Sequence, residues 1–292
     1  MQLRRRTFCK NRAMATIPLL PLNSGHWIPQ LGIGTYRMDE ATTRQAVREA
    51  LAMGYRHIDT AQMYGNEAAV GRAIAESGVD RENIFLVTKL DNPNHAPRAV
   101  RETFARSLAE LGTDYVDLFL IHWPMLSGDY VEAYQVMEEF VADGRARAIG
   151  VSNFERHHLE ALRFAAQIQP AVNQIEAHPY FQNAEVTQYC TDAGIRVEAW
   201  APLARGAVND DAVLAELAAA KGCTVAQLVL LWHLSRGRIV FPGASSTAHL
   251  AENLACLDFT LLKEEAEEID NMDRFEAGRT GRHPDTFRRN GE

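Results

Sequence analysis

Four side chains in this sequence could together deliver a proton to a carbonyl oxygen: Asp59, Tyr64, Lys89 and His122. Asp59 ends the run Gly54-Tyr55-Arg56-His57-Ile58-Asp59, and Tyr64 follows on the same loop, ahead of Gly65-Asn66-Glu67. A phenol is a poor acid near neutral pH, with a reference pKa of about 10. A neighbouring cation favours the phenolate and makes the phenol a better donor. Lys89 supplies that cation, and Asp59 can hold its ammonium in place. His122 can donate a hydrogen bond to an oxygen that gains negative charge as a hydride reaches its carbon. Each residue also has an ordinary role open to it. An Asp caps loops, a Tyr packs, a Lys is solvated and a His sits satisfied in a core. No HxH, HExxH or Cys/His spacing offers a metal site, and neither a GxSxG elbow nor a phosphate-binding P-loop is present. The metal expectation is therefore none, and the hydride is expected from an organic cofactor.

These residues gain weight from the segments that carry them. Short runs rich in β-branched and large apolar residues read as strands over 31–35, 55–59, 84–89, 116–122, 146–152, 171–176, 196–200 and 239–242. Helical patterns follow each one, over 42–53, 67–77, 97–111, 130–143, 156–166, 184–193, 211–221 and 247–256. Extra helices read over 224–234 and 263–272, and a short hairpin over 17–29 turns at Asn23-Ser24-Gly25. Strand–helix alternation implies right-handed βαβ units and a parallel sheet. Eight units in about 250 residues fit a (β/α)8 TIM barrel of the α/β class. An open doubly wound sheet would carry Gly-x-Gly-x-x-Gly after its first strand. Here Gly32-Ile33-Gly34 runs into Thr35-Tyr36-Arg37, so the third glycine is missing. Barrel active sites lie at the C-terminal strand ends. Those ends hold Asp59, Lys89, His122-Trp123-Pro124, Ser152-Asn153, Gln174, Trp200-Ala201-Pro202 and Phe241-Pro242-Gly243.

The chain has 292 residues, 47% hydrophobic and 23% charged, enough for one large domain that buries about three quarters of its unfolded surface. A net charge of −8 argues against nucleic acid as a partner. The cysteines Cys9, Cys190, Cys223 and Cys256 are scattered without a CxxC pair, which suggests a reducing, cytoplasmic compartment. The sequence contains no run of about 18 apolar residues, so no membrane partner is expected. Residues 1–14 carry Arg4, Arg5, Arg6, Lys10 and Arg12 with no apolar stretch behind them. They read as a disordered basic extension rather than a secretory or twin-arginine signal. Residues 15–292 read as a single domain.

From about Ile17 onward the sequence resembles the aldo-keto reductase superfamily, over 54–61, 86–90, 120–124, 150–154, 173–176 and 240–253. Within it the chain is most similar to the prokaryotic 2,5-diketo-D-gluconate reductases, through 58–67, Trp200 and the tail Gly281-Arg282-His283-Pro284-Asp285. The resemblance implies an NAD(P)H-dependent carbonyl reductase that turns aldehydes or ketones into alcohols. Tyr64 would donate the proton, Asp59 and Lys89 would tune it, and His122 would orient the carbonyl. For the cofactor it implies Ser152, Asn153 and Gln174 on the carboxamide and Trp200 stacked on the nicotinamide. Leu203, Arg205 and Gly206 would follow the pyrophosphate. Glu252 and Asn253 would face the adenine, and Thr35, Tyr36 and Arg37 on loop one would line the cofactor and substrate side. Tyr36, Trp123 and Asp91 would wall the substrate pocket. The small-molecule carbonyl substrate remains open between small dicarbonyls, keto-sugars and aromatic aldehydes. The assembly is a monomer or a weak dimer. The alternative is a non-catalytic protein on the same fold, with a regulatory or structural role.

Two departures from the family pattern matter. Many relatives read Lys-Leu-Trp or Lys-x-Trp after strand three, where this chain has Lys89-Leu90-Asp91-Asn92-Pro93. Relatives that prefer NADPH have Pro-Lys-Ser and an Arg seven residues after the proline. Here Pro242 is followed by Gly243, Ala244, Ser245 and Ser246, and His249 fills the Arg position. The loss of both cations predicts that NADH is tolerated alongside NADPH.

Overall fold

The computed structural model describes residues 16–287, so the basic extension expected over residues 1–14 lies outside the described residues. A hairpin comes first: β1 (Leu19–Pro21) pairs antiparallel with β2 (Trp27–Pro29). Its turn needs Gly25, which sits at φ 84°, where a side chain would be strained.

Eight parallel strands follow: β3 (Ile33–Gly34), β4 (His57–Asp59), β5 (Phe85–Leu90), β6 (Leu118–Ile121), β7 (Ile149–Ser152), β8 (Val172–Glu176), β9 (Arg196–Trp200) and β10 (Ile239–Val240). Each strand pairs with the next in sequence order. The ring closes where Leu31 meets Val240 and Gly34 meets Gly243 in parallel bridges. There Gly32 N–H donates to Val240 O at 2.8 Å, and Val240 N–H donates to Gln30 O at 2.9 Å. The helices α1 (Glu40–Ala52), α2 (Glu67–Glu76), α3 (Pro97–Leu111), α4 (Tyr130–Ala142), α5 (Arg156–Ala165), α6 (Ala184–Asp192), α7 (Ala212–Lys221), α8 (Val225–Ser235), α9 (Thr247–Leu254) and α10 (Lys263–Asp270) surround it. The expected (β/α)8 barrel with its N-terminal hairpin is what forms.

The two-residue period of the strands decides which side chains can do chemistry. Phe85 and Val87 join Leu118, Leu120, Val172 and Ile239 in an apolar cluster plugged from below by Leu22 and Ile28 of the hairpin. Continuing the same alternation, β5 presents Lys89 at its upper end and β8 presents Gln174. Residues of opposite parity, such as Leu86, Leu90, Phe119 and Ile121, pack outward in the larger core with the helices. There Phe104 stacks on Phe119 and on Phe140 with ring centroids 4.3 and 4.4 Å apart. Such pairs add about 0.5–1.5 kcal/mol each beyond their buried area.

Most strands are shorter than the apolar runs that announce them, and β10 shrinks from 239–242 to two residues. The ladder stops because Pro242 has no N–H to give. Helix α1 starts two residues earlier than its apolar pattern, because the Asp39 side chain accepts from Thr42 N–H at 2.7 Å and caps it. Among the described residues, seven short 3-10 turns were not foreseen. One of them, Ala204–Asp210, directly follows β9. Among the described residues no single helix is long and apolar enough to cross a membrane.

Candidate active site

A cavity of about 310 Å³ opens at the C-terminal ends of the strands. Asp59, Tyr64, His122, Trp123, Ser152, Asn153, Gln174, Trp200, Phe241 and Gly243 line it. Tyr36, Arg37 and Arg205 stand on its rim.

Lys89 is fully buried, yet its ammonium is satisfied three ways. Nζ donates to Asp59 Oδ1 at 2.6 Å, to the Thr60 carbonyl at 2.9 Å and to the Tyr64 hydroxyl at 3.2 Å. Burial opposes the charge, but Asp59 and Tyr64 outweigh it and hold the Lys89 pKa above its ordinary value. Tyr64 comes from the 3-10 turn Gln62–Tyr64 behind β4, which Gly65 closes at φ 67°. Its pKa differs from the sequence expectation. Burial pushes the phenol up to about 12, and the downward pull of Lys89 only partly offsets this. His122 approaches Tyr64 edge-on, with centroids 5.7 Å apart. Burial, and then Lys89, hold this imidazole well below its usual pKa, so it is neutral.

Amide groups form the opposite wall. The Gln174 nitrogen donates to Asp59 Oδ2 and to Glu198 Oε2, both at 2.9 Å. Ser152 Oγ donates to Gln174 O at 2.9 Å. Asn153 sits at φ 64° and links three groups: Nδ2 donates to His122 O and to Ser152 Oγ, and Oδ1 accepts from the Trp200 indole at 2.8 Å. Arg37, Ala201 and Arg205 also line the cavity with positive φ, at 61°, 49° and 56°. Such conformations cost of order 1–3 kcal/mol each and gather at functional sites. An indole held by its edge beside three amide or hydroxyl groups fits a flat heteroaromatic amide such as nicotinamide.

The remaining expected residues are placed less centrally. Asp91 is not among the cavity-lining residues; its Oδ1 accepts from Asn92 N–H and caps the turn Asn92–Asn94. Thr35 is buried and donates to Asp59 O at 3.1 Å. Leu203 and Gly206 belong to the kinked turn after β9, near Arg205. Gly243 borders the cavity, and Pro242, Ala244, Ser245 and Ser246 lead from it into α9. Ser246 caps that helix by accepting from His249 N–H at 3.2 Å. Glu252 and Asn253 follow on α9, with Asn253 buried.

Several polar residues at this site escaped the sequence reading. Glu176 accepts from Thr280 N–H at 2.7 Å, Thr280 Oγ1 at 2.5 Å and Gly281 N–H at 2.9 Å, and so pins the C-terminal tail. A Cβ on residue 281 would come within 2.4 Å of the Trp200 ring, so glycine lets the tail cross that indole. Beyond it Phe287 stacks on Trp123 at 4.1 Å. His157 Nε2 and His158 Nε2 lie 3.2 and 3.5 Å from Asp285 Oδ1. His158 Nδ1 already accepts from Glu155 N–H at 3.1 Å, so its Nε2 carries the proton and faces Asp285 as a hydrogen-bond donor. Glu198 and His57 are both fully buried inside the barrel. The signal for them was present: an ionisable residue at an inward position of an otherwise apolar strand.

Comparison with known proteins agrees with this geometry. The family model described as "Aldo/keto reductase family" matches residues 22–274. The methylglyoxal reductase DkgA of Escherichia coli K12 is 40% identical over 277 residues, covering 94% of this chain and 99% of its own. The solved structure of a Gox0644 point mutant in complex with NADPH superposes with a TM-score of 0.90 at 38% identity, covering 94% and 99% of the two chains. A structure named for a 2,5-diketo-D-gluconic acid reductase B matches with a TM-score of 0.83 at 36% identity, covering 89% and 92%. A barrel whose upper rim joins a lysine-bound phenol to a cleft of amides, in a chain matched along nearly its full length, leaves one assignment: the protein belongs to the aldo/keto reductase family, nicotinamide-dependent oxidoreductases that act on carbonyl compounds.

Proposed function

We propose that this enzyme reduces aldehydes and ketones to alcohols with Tyr64 as the proton donor. The observation that carries this is the Lys89–Tyr64 contact at 3.2 Å, set at the cavity wall beside His122. When bound, the nicotinamide supplies the hydride. The chain's own work is the proton. A phenol held near pKa 12 keeps its proton at neutral pH. It releases the proton only to a stronger base, such as the oxygen of a carbonyl that has taken up hydride. The phenolate left behind faces the Lys89 ammonium, which Asp59 holds by its 2.6 Å contact. Neutral His122 donates to the substrate oxygen. Ser152, Asn153 and Gln174 would hold the nicotinamide carboxamide, and Trp200 would stack on its ring. For the pocket walled by Trp123, Trp200 and Tyr36 we rank small dicarbonyls first, with keto-sugars and aromatic aldehydes next. The relative that reduces methylglyoxal supports that order.

NADH is tolerated as well as NADPH on this reading. The turn after β10 offers Gly243 and His249 where NADPH-preferring relatives carry cations. Glu49 adds to this, since its carboxylate accepts from Thr247 Oγ1 at 2.5 Å at the start of α9. That hydrogen bond, and another from Gln45, hold the Glu49 pKa below its ordinary value, so it brings negative charge to the same turn. The protein acts in the cytoplasm, as a monomer or a weak dimer.

Replacing Tyr64 by Phe tests the central claim. Turnover of methylglyoxal and a panel of aldehydes should fall by about 10²–10⁴-fold while NADPH still binds. A Phe variant that keeps more than half of wild-type turnover removes Tyr64 from this role. A wild-type protein that consumes no cofactor with any carbonyl returns the chain to the non-catalytic alternative.

A further inference from the structure

Glu198 lies wholly inside the barrel, on β9 two residues before Trp200, and the proton-donating set does not account for it. Its Oε2 accepts one hydrogen of Gln174 Nε2, whose other hydrogen goes to Asp59 Oδ2, both at 2.9 Å. With both hydrogens committed inward, the Gln174 amide oxygen is left for the cavity. Glu198 Oε1 lies 3.3 Å from His57 Nε2, and among the described residues these two buried atoms have no hydrogen-bond partner, which leaves each as the nearest polar atom to satisfy the other.

The far side of His57 decides where the proton sits. His57 Nδ1 is 3.1 Å from the Pro29 carbonyl oxygen, which has no hydrogen to offer, so Nδ1 carries one. A single further proton then lies between Nε2 and Oε1. It makes either a carboxylic acid facing a neutral imidazole or a carboxylate facing an imidazolium. The charged groups facing this pair are Asp59 on β4 and Lys89 on β5, with Gln174 as a neutral link from β8. Burial disfavours both ions of the charged form, Asp59 opposes a second carboxylate and Lys89 opposes an imidazolium. The proton therefore rests on Glu198, whose pKa rises to about 8, while that of His57 falls to about 3. Gly32 makes room for this arrangement, because a Cβ there would stand 2.7 Å from the His57 ring.

We propose that Glu198, kept as the neutral acid against His57, is a positioning residue that locks the Gln174 amide with its nitrogen toward the two carboxyls and its oxygen toward the bound nicotinamide. It also keeps a second negative charge away from Asp59 and Lys89. This rests on the reading of Gln174 as a carboxamide contact.

The test compares Glu198→Gln with Glu198→Leu in the full-length protein. A glutamine reproduces the protonated acid: its oxygen accepts from Gln174 and its NH₂ donates to His57 Nε2. Glu198→Gln should therefore keep kcat/KM within about threefold of wild type at pH 6.5. Wild-type activity should fall as pH rises through about 8, where Glu198 deprotonates, and Glu198→Gln should lose that fall. Glu198→Leu should weaken NADPH binding, read by fluorescence titration without substrate, by about tenfold for the lost hydrogen bond. A thermal melt confirms that it folds. In cofactor-free protein, the infrared difference between wild type and Glu198→Gln should show a protonated carboxyl band at pH 6.5 that disappears above about pH 8. The proposal is overturned if Glu198→Gln loses as much as Glu198→Leu at pH 6.5, if it keeps the wild-type alkaline fall, or if the carboxyl band is missing. Gln174→Ala separates the underlying reading. Unchanged NADPH affinity in that variant removes the carboxamide role of Gln174 itself, whereas the infrared band still reports on Glu198.

Discussion

On the proposed reading, cofactor choice is decided residue by residue in the turn after β10. Gly243 is not required by the backbone there: a Cβ would meet only Gly34 O, at 3.9 Å. A lysine side chain therefore has room. Charge-assisted hydrogen bonds to a phosphate contribute about 1.5–3 kcal/mol each. The double variant Gly243→Lys/His249→Arg should raise the ratio of kcat/KM for NADPH over NADH by at least about tenfold. Wild type should stay below about a thousandfold preference for NADPH, roughly 4 kcal/mol. A larger wild-type preference would mean that Arg205 or another cation already holds the phosphate. At this scale much of the site could be read in advance. Asp59, Tyr64, Lys89 and His122 are polar groups at the ends of apolar runs, and a local pattern reveals them. Glu49, Glu176 and Glu198 were missed because their meaning depends on partners far along the chain. Thr247, Thr280 and His57 become their neighbours only once the barrel has closed.

At the scale of elements, strand parity explains why chemistry and core share one strand. It was legible because apolar runs that end in a polar residue mark both the core and the rim. The turns between elements were less legible. Left-handed backbone at Arg37, Ala201 and Arg205 contradicts local preference, so no turn residue announces it, whereas Asn153 is of a type that tolerates it. The C-terminal tail braces the pocket from behind, through Glu176 at one end and the Phe287–Trp123 stack at the other. Phe287→Ala should raise KM for aromatic aldehydes about three- to tenfold, the worth of one aromatic pair. NADPH affinity should not change, because the stack touches neither Gln174 nor Trp200. A matching loss of NADPH affinity would show that the tail also supports the cofactor cleft.

For the whole molecule, the barrel is only as sound as its closing edge. The strands that meet there, β3 and β10, have two residues each, and Gln30 reaches across to Arg238 O, 208 residues away in sequence. Amide exchange at Gly32 and Val240 should be faster than at Leu120 or Ile175 and should slow when NADPH is added, because the cavity lies directly over that edge. Equal protection at all four amides would show a uniform ring. The position of the seam also bears on synthesis. While the chain emerges from the ribosome, every strand from β3 to β9 can form pairs before β10 exists, but the floor under Gly34 cannot. A product cut short between His122 and Gly243 keeps its phenol, lysine and imidazole, yet has no closed cleft to bring them to a ligand. Competence thus arrives in one step near the end of translation, and incomplete chains are silent rather than weakly active.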